Sequence, residues 1–555
     1  MNTKAGSTIS PLAGLPPPAD LLLDVDALMA AYADVKPSPE DPAQRVRFGT
    51  SGHRGSALCG SFNDGHVAAI VQAVCDHRRL QGIDGPLFLG ADTHALSEPA
   101  QATALEVLAA NGVAVRIAGG TRYTPTPAVS LAILNHRAAG NGAADGIVVT
   151  PSHNPPEYGG IKYNPPSGGP ASAEVTAWIE QAANRLLAQR LTGVRRVTLG
   201  RALEAVTTGR FDFLDLYVKS LPQVIDMDAI SASGLRLGID PLGGAGLDYW
   251  HAIAERFGLD LDVMNDRVDP TFRFVHVDGD GRIRMDPSSP HVMQGLVARR
   301  AHYDVAAACD ADHDRHGIVT RAGLMPANDY LCAMAAYLCT HRPRWPTSAS
   351  LGRTAVTSRM LDRIARRHGR PIFETPVGFK WFSDGLLSGA IAFAGEESAG
   401  AAFSRLDGTV WTTDKDGITA VLLAAEMTAR TGRDPSEQYA ALCGELGHPL
   451  FQRIDFPATA GQKASLERLD PERLSARVVA GEPIDGTDIR AAGNGEPLGG
   501  MRVRTAGGWF AVRPSGTEDL CKLYAESFLG EDHLRWLVSD ARSLMKEVLA
   551  EADDA

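Results

Sequence analysis

The sequence predicts an α/β protein of three similar α/β domains with mixed sheets, followed by a smaller C-terminal α+β domain. Two patterns carry this reading: a strand, polar loop, helix and second strand that recurs three times, and a change of pattern after about residue 445. Length is the third observation. At 555 residues the chain exceeds what one core organises, and roughly 150 residues per domain implies three to five domains.

The first recurrence runs from Pro86-Leu-Phe-Leu-Gly through a helix at Ala100–Ala110 to Gly112 and Val113-Ala-Val-Arg-Ile117. In the second, Leu235-Arg-Leu-Gly-Ile239 leads through Tyr249–Phe257 to Gly258 and Leu259-Asp-Leu-Asp-Val263. The third takes Thr354-Ala-Val-Thr as its strand, Met360–Arg367 as its helix, then Gly369 and Pro371-Ile-Phe. Glycine suits each helix end because it adopts left-handed backbone without steric cost. Strands alternating with helices imply right-handed βαβ units, hence parallel or mixed sheets with helices on both faces. After residue 445, Met501-Arg-Val-Arg, Gly508-Trp-Phe-Ala-Val and Lys522-Leu-Tyr-Ala-Glu read as strands, and His533–Glu551 as a closing helix. The expected domains are 1–205, 206–322, 323–445 and 446–555. The opening 35 residues, rich in Pro and Ala, say little.

Composition narrows the class. The chain is 44% apolar and 22% charged, ordinary for a globular enzyme, and 66 acidic against 54 basic residues give a net charge of −12. Such a balance excludes a general nucleic-acid binder, so anionic ligands require local Arg and Lys. Seven scattered cysteines, with no Cys-x-x-Cys pair, suggest reduced cytoplasmic thiols rather than disulfides or a zinc site. Met1–Ser10 has no secretory pattern and no apolar run approaches about 18 residues, so no membrane association is expected.

The most telling stretch is Ala144-Asp-Gly-Ile-Val-Val-Thr-Pro-Ser152-His-Asn-Pro-Pro. Ile147, Val148 and Val149 read as a strand buried on both faces, and Pro151, Pro155 and Pro156 forbid strand or helix beyond it. Ser152 is thereby held on a stiffened loop at the carboxyl end of a strand, where open α/β sheets bind ligands. A capped proline-rich turn is the plain alternative.

Asp310, Asp312 and Asp314 follow the apolar run Val305–Cys309, and on an extended segment residues two apart point to one side. A hard cation such as Mg²⁺ is the simplest way to quiet three converging carboxylates. A solvated acidic turn is the alternative, weakened by the adjacent Arg315-His316. An EF-hand is excluded because its sixth and twelfth positions would be Arg315 and Arg321 rather than Gly and Glu. Arg513-Pro-Ser515-Gly516-Thr517 combines a guanidinium, two hydroxyls and freed amides, which suits a phosphate dianion. Gly395-Glu396-Glu-Ser398 sets a carboxylate beside a hydroxyl, as sugar diols require. Gly49-Thr50-Ser51-Gly-His-Arg54-Gly is flexible and lacks the Gly-Lys-Ser/Thr of a Walker A loop. Lys162, Lys380 and Lys415 lie in polar loops and could supply charge or protons.

Together these loops closely resemble the α-D-phosphohexomutase superfamily from about residue 45 to 530. Thr-Pro-Ser152-His-Asn-Pro, Asp310-x-Asp312-x-Asp314-Arg315, Gly395-Glu-Glu-Ser398 and Arg513-Pro-Ser-Gly-Thr517 recur in the family's order. The segments Phe48-Gly-Thr-Ser-Gly-His-Arg-Gly, Thr375-Pro-Val-Gly378-Phe-Lys380-Trp-Phe and Asp414-Lys-Asp-Gly look like its bacterial glucose branch, whereas many mannose-directed relatives open with Tyr-Asp-x-Arg-Gly. One departure is Asp310-Ala-Asp312 where the family usually has Asp-Pro-Asp, a change of stiffness rather than of ligands.

The resemblance implies four domains around a central cleft and a phosphoryl group on Ser152. It further implies Mg²⁺ on Ser152, Asp310, Asp312 and Asp314. Glucose 1-phosphate and glucose 6-phosphate would interconvert through glucose 1,6-bisphosphate, which also acts as activator. Proton movement falls to His153, Arg54 or Lys415, unranked, with Lys162 adding charge. Thr50, Ser51, Arg315, Gly378, Lys380, Glu396, Ser398, Arg513, Ser515, Gly516 and Thr517 would bind a small-molecule sugar phosphate. A cytoplasmic monomer or homodimer is expected. The rivals are a mutase for mannose or glucosamine phosphate, a metal-dependent sugar-phosphate phosphatase, and a non-catalytic sugar-phosphate binder.

Overall fold

The computed structural model describes residues 9–49, 52–468, 476–515 and 520–553. Thr50, Ser51, Gly516 and Thr517, four of the expected substrate contacts, lie outside the described residues. Four principal sheets follow one another along the chain. The first has the order His53–Ser56, Tyr158–Asn164, Asp145–Val149, Leu87–Ala91, Val115–Ala118, Thr208–Phe211, with Tyr158–Asn164 antiparallel to both its neighbours and the remaining pairs parallel. Its last strand carries this sheet to residue 211. The second sheet runs Gly323–Leu324, His316–Thr320, Val305–Cys309, Arg236–Asp240, Asp260–Val263, again mixed. The third is Ile372–Thr375, Ser350–Thr354, Ile391–Glu396, Gly400–Phe403, antiparallel only at its final pair.

The fourth sheet is of another type. Leu450–Pro457, Leu520–Ser527, Gly508–Pro514, Pro497–Arg504 and Gly486–Arg490 pair antiparallel throughout. The helices Ala460–Glu467 and Glu531–Asp553 accompany it, which completes the α+β domain expected from the sequence.

Gly112, Gly258 and Gly369 all take positive φ (72°, 63° and 62°), so each recurrence ends its helix as the pattern implied. The third strand differs from expectation. It occupies Ser350–Thr354, and Thr354–Thr357 is the turn that follows, closed by a 2.8 Å bond between the two threonine hydroxyls. Its polarity hid it: Arg353 is buried within the strand, compensated by Glu374 and Asp362. An apolar-run criterion passes over a strand whose central charge is paired.

Apolar packing unites the first three domains. Phe88 and Val148 of the first domain's sheet, Leu237 and Ile318 of the second domain, and Leu331, Phe393 and Val421 of the third domain form one continuous core. The C-terminal sheet has its own core around Val503, Phe510, Leu523 and Leu537. It meets the third domain through Val356 against Trp509, Ala511 and Tyr524. A buried ion network reinforces that seam: Glu374 accepts Arg502 Nη1 at 2.5 Å and Arg353 Nη1 at 2.8 Å, and Arg502 reaches on to Asp488. Among the described residues no helix is long and apolar enough to cross a membrane.

Candidate active site

The strand Asp145–Val149 ends where Pro151 forbids its continuation, and Ser152 turns the chain with φ +60°. Left-handed backbone in a residue with a Cβ costs on the order of 1–3 kcal/mol and persists only where neighbours impose it. Here a chain of buried bonds does so. Ser152 N donates to Thr150 Oγ1 at 2.8 Å, and Thr150 Oγ1 donates to Asp92 Oδ2 at 2.6 Å. Asp92 also holds His94 Nδ1 at 2.8 Å, and the other nitrogen of that ring lies 3.0 Å from the Asn154 carbonyl. Arg54, on the edge strand His53–Ser56, donates to Asn154 Oδ1 at 3.1 Å.

Ser152 Oγ donates to Asp310 Oδ2 at 2.7 Å and lies 3.3 Å from His153 Nδ1. The acidic trio does converge, but not by strand alternation. Val305–Cys309 ends before Asp310, and His313, in left-handed backbone at φ +58°, folds the segment into a turn. His313 Nε2 accepts from Trp250, and its carbonyl accepts from Gly417 N, so the turn is clamped on two sides. Ligand atoms of Asp310, Asp312 and Asp314 all lie within 4.8 Å of one another, fully buried.

Two lysines answer the trio. Lys162, on the strand Tyr158–Asn164, contacts Asp312 Oδ2 at 2.5 Å and Asp314 Oδ2 at 3.0 Å. Lys415 contacts Asp314 Oδ2 at 3.1 Å and Asp414 at 3.7 Å. Burial works against ionising Asp314, but Lys162, Lys415 and Arg315 outweigh it and hold the carboxyl well below the usual range. Asp310 goes the other way: burial, then Asp312 and Asp314, push it well above. Burial opposes the charge on Lys162 as well, and Asp312 and Asp314 raise it regardless. Desolvation, then Arg315, leaves the His153 imidazole well below its ordinary value.

The donor set fits a hard divalent cation. Asp312 Oδ1 and Asp314 Oδ1 are buried oxygens without a hydrogen-bond partner, an arrangement that costs free energy unless a cation completes it. All-oxygen ligation at this size suits Mg²⁺-like ions rather than softer metals.

Loops of the third domain adjoin this centre. Arg315 bridges Gly400, and Glu396 Oε1 accepts the Gly378 amide at 2.9 Å, which joins two of the expected sugar contacts. Burial raises the Glu396 carboxyl despite Lys415 nearby. Ser398 is half-buried two residues on. Lys380 sits with Nζ 5.2 Å from the Trp381 ring, and burial lowers its pKa. Arg513 lies next to last in the strand Gly508–Pro514, with Nε buried and without a hydrogen-bond partner, and Ser515 follows the strand with its amide on Leu520 O. Among the described residues no hydrogen bond links Arg513 or Ser515 to the Ser152–Asp310 pair.

Comparison with known proteins accords with this geometry. The phosphoglucomutase/phosphomannomutase alpha/beta/alpha domains I, II and III match residues 45–190, 215–323 and 326–446, and the family's C-terminal domain matches 475–543. The phosphoglucomutase of Komagataeibacter xylinus is 52% identical over 547 residues, 98% of this chain and 99% of that protein. The chain belongs to the α-D-phosphohexomutase superfamily. The phosphoglucomutase pp63/parafusin of Paramecium shares the fold with a TM-score of 0.71 at 20% identity, covering 93% of this chain and 96% of that one. An N-acetylphosphoglucosamine mutase of Aspergillus fumigatus, solved with GlcNAc-6P and magnesium, does so with a TM-score of 0.53 at 16% identity, covering 96% and 99%.

Three site residues of this phosphohexomutase escape a motif reading. Asn154 lies between Arg54 and His94, Asp414 accepts Asn164 at 3.0 Å beside Lys415, and Thr126 donates to Asp312 Oδ2 at 2.6 Å. Asn154 and Asp414 stand inside noticed segments. Thr126 gave only a helix-start signal, Thr-Pro-Thr-Pro, with no hint of its partner 186 residues away.

Proposed function

We propose that this chain is a phosphoglucomutase interconverting α-D-glucose 1-phosphate and glucose 6-phosphate, with Ser152 as the phosphoryl carrier. The observation that carries this reading is the Ser152 hydroxyl on Asp310 within a buried carboxylate trio, in a chain 52% identical to a phosphoglucomutase. Oxygens 1 and 6 of a hexose are too far apart for direct transfer in one pose, so a carrier on the enzyme is the economical solution. In the forward half-reaction the Oγ–P bond of phosphoserine 152 breaks while a sugar hydroxyl oxygen bonds to phosphorus. The hydroxyl proton leaves to a base, and Oγ gains a proton. The resulting glucose 1,6-bisphosphate reverses in the cleft and returns its other phosphoryl group to Ser152.

His153 Nδ1, at 3.3 Å, is the ring nitrogen positioned to exchange the proton with Ser152 Oγ. Arg54 and Lys415 serve the sugar side. Lys162 remains charged and gathers negative charge at the transferring group, the main contribution a protein makes to phosphoryl transfer. Asp310, Asp312 and Asp314, with Ser152, would hold Mg²⁺, which supplies positive charge beside the transferring phosphoryl group. Glu396 and Ser398 bind the sugar diol. Arg513, Ser515, Gly516 and Thr517 bind the phosphate that does not react, and Thr50, Ser51, Arg315, Gly378 and Lys380 complete the contacts. Added bisphosphate activates by phosphorylating any Ser152 that has lost its group. The protein acts in the cytoplasm on a small-molecule sugar phosphate, as monomer or homodimer.

Intact-mass spectrometry of fresh protein, before and after glucose 6-phosphate, tests the carrier: a phosphate-sized adduct maps to the Ser152 peptide and is lost to substrate. An assay with glucose 1-phosphate, Mg²⁺ and a trace of bisphosphate then yields glucose 6-phosphate. Free phosphate released at the turnover rate would instead establish a phosphatase, and faster turnover of mannose or glucosamine phosphates would move the substrate.

A further inference from the structure

We propose that Thr126 is a positioning residue that selects which oxygen of Asp312 is offered to the cation, and thereby favours small octahedral ions over Ca²⁺. This rests on the reading of the acidic trio as a cation site. Thr126 is the first residue of the helix Thr126–Ala138 in the first domain, fully buried, and Asp312 belongs to the second domain. Two bonds join them: the hydroxyl donates to Asp312 Oδ2 at 2.6 Å, and the backbone N–H donates to the Asp312 carbonyl at 2.9 Å. Pro125 and Pro127 flank it and carry no N–H, so Thr126 alone in that stretch can donate toward the loop.

The hydrogen-bond donors crowd one side of the Asp312 and Asp314 carboxylates. Lys162 bonds the same Asp312 Oδ2 at 2.5 Å, so that oxygen is occupied twice while Oδ1 is buried and has no hydrogen-bond partner. Asp314 repeats the arrangement. Lys162 and Lys415 both approach its Oδ2, at 3.0 and 3.1 Å, while its Oδ1 is buried without a hydrogen-bond partner, with Arg315 Nε 3.8 Å away. Asp312 and Asp314 therefore each present one oxygen, whereas both oxygens of Asp310 accept hydrogen bonds, from Ser152 Oγ and Arg315 N. Mg²⁺ accepts carboxylates one oxygen at a time in a strict octahedron, whereas Ca²⁺ draws on 6–8 oxygens and commonly takes both of a carboxylate. Two-oxygen binding by Asp312 would sacrifice the bonds from Thr126 and Lys162 inside a dry site, where unmade bonds are expensive. Thr126 is uncharged, so its replacement isolates orientation from charge balance.

The test is isothermal titration of the full-length chain with Mg²⁺ and, separately, Ca²⁺, for wild type, Thr126→Val, Thr126→Ala and Thr126→Ser. Intact mass confirms that all four carry the same phosphorylation state at Ser152. Wild type binds one Mg²⁺ more tightly than Ca²⁺. Loss of the hydroxyl weakens Mg²⁺ about tenfold, the lower end of effects from groups that orient metal ligands. Ca²⁺ affinity holds or rises, so the Mg²⁺/Ca²⁺ ratio falls, and Thr126→Ser restores it. A ratio unchanged in Thr126→Val, or in Thr126→Ala should valine not fold, overturns this proposal while leaving the cation site standing. Absence of stoichiometric Mg²⁺ binding by wild type overturns both.

Discussion

Ser152 Oγ meets Asp310 Oδ2 at 2.7 Å across 158 residues of sequence, and this contact ties the loop leaving the first sheet to the loop leaving the second. Replacing Ser152 by Ala removes the phosphoryl carrier and leaves the loop backbone with its Thr150 and Asp92 supports. Isomerase activity is expected to fall by at least about 10⁴-fold, the scale on which losing a nucleophile acts. The phosphate adduct should vanish from the intact-mass spectrum while the melting temperature stays close to wild type. Substantial isomerisation by this variant would mean another residue carries the group.

Lys162 is shared by Asp312 and Asp314, so Lys162→Met strands the buried Asp312 carboxylate and leaves Asp314 to Lys415. Removing one partner of a buried pair typically costs about 3–5 kcal/mol. A bound divalent ion supplies compensating charge, so the loss of melting temperature should be larger in chelator than in millimolar Mg²⁺. Scanning calorimetry under the two conditions checks this, and an equal loss in both would argue against a cation at the trio.

Gly400 packs directly on Lys415. A Cβ built there would stand 2.1 Å from Lys415 Cδ, so Gly400→Ala must push that side chain off its path to Asp314. We expect a drop in kcat of about 10²-fold, the size a misplacement near 1 Å produces, with a smaller change in KM. Wild-type kcat would show that the position of Lys415 is irrelevant to turnover.

Glu374 couples acidity to the seam between the third and fourth domains. Burial opposes its charge, but Arg353 and Arg502 outweigh it and bring its pKa down to about 2 from an ordinary 4.5. A folded-state pKa below the unfolded one means the stabilisation is complete above about pH 4.5 and is lost as pH falls toward 2. Its size is of the order of 3 kcal/mol. Thermal melts from pH 7 to 2 should therefore show Glu374→Gln well below wild type near neutrality, the two curves converging in acid. Parallel curves across that range would exclude this residue as the acid-sensitive link.

The chemistry of the site was legible because it lies in short contiguous stretches: a serine closed off by prolines, and three aspartates spaced by two. Its geometry was not. The trio converges through the left-handed His313 rather than by strand alternation, a distinction no spacing rule makes. Glycines past the helices revealed the recurrences because their signal is local, whereas the strand Ser350–Thr354 was obscured by Arg353, whose compensation arrives from Glu374 and Asp362. Thr126 shows the limit most clearly. Its own neighbours specify a helix start, and only the folded chain supplies Asp312 as its acceptor.

The continuous core beneath the first three domains has a mechanical corollary. Leu331 belongs to the same packed body as Phe88 and Leu237, so a methylene lost at one loosens the footing of the Ser152 and Asp310 loops together. A core substitution in any of these three domains is therefore felt by the other two. The C-terminal sheet keeps an interior of its own and joins the rest through the buried Glu374–Arg353–Arg502 seam.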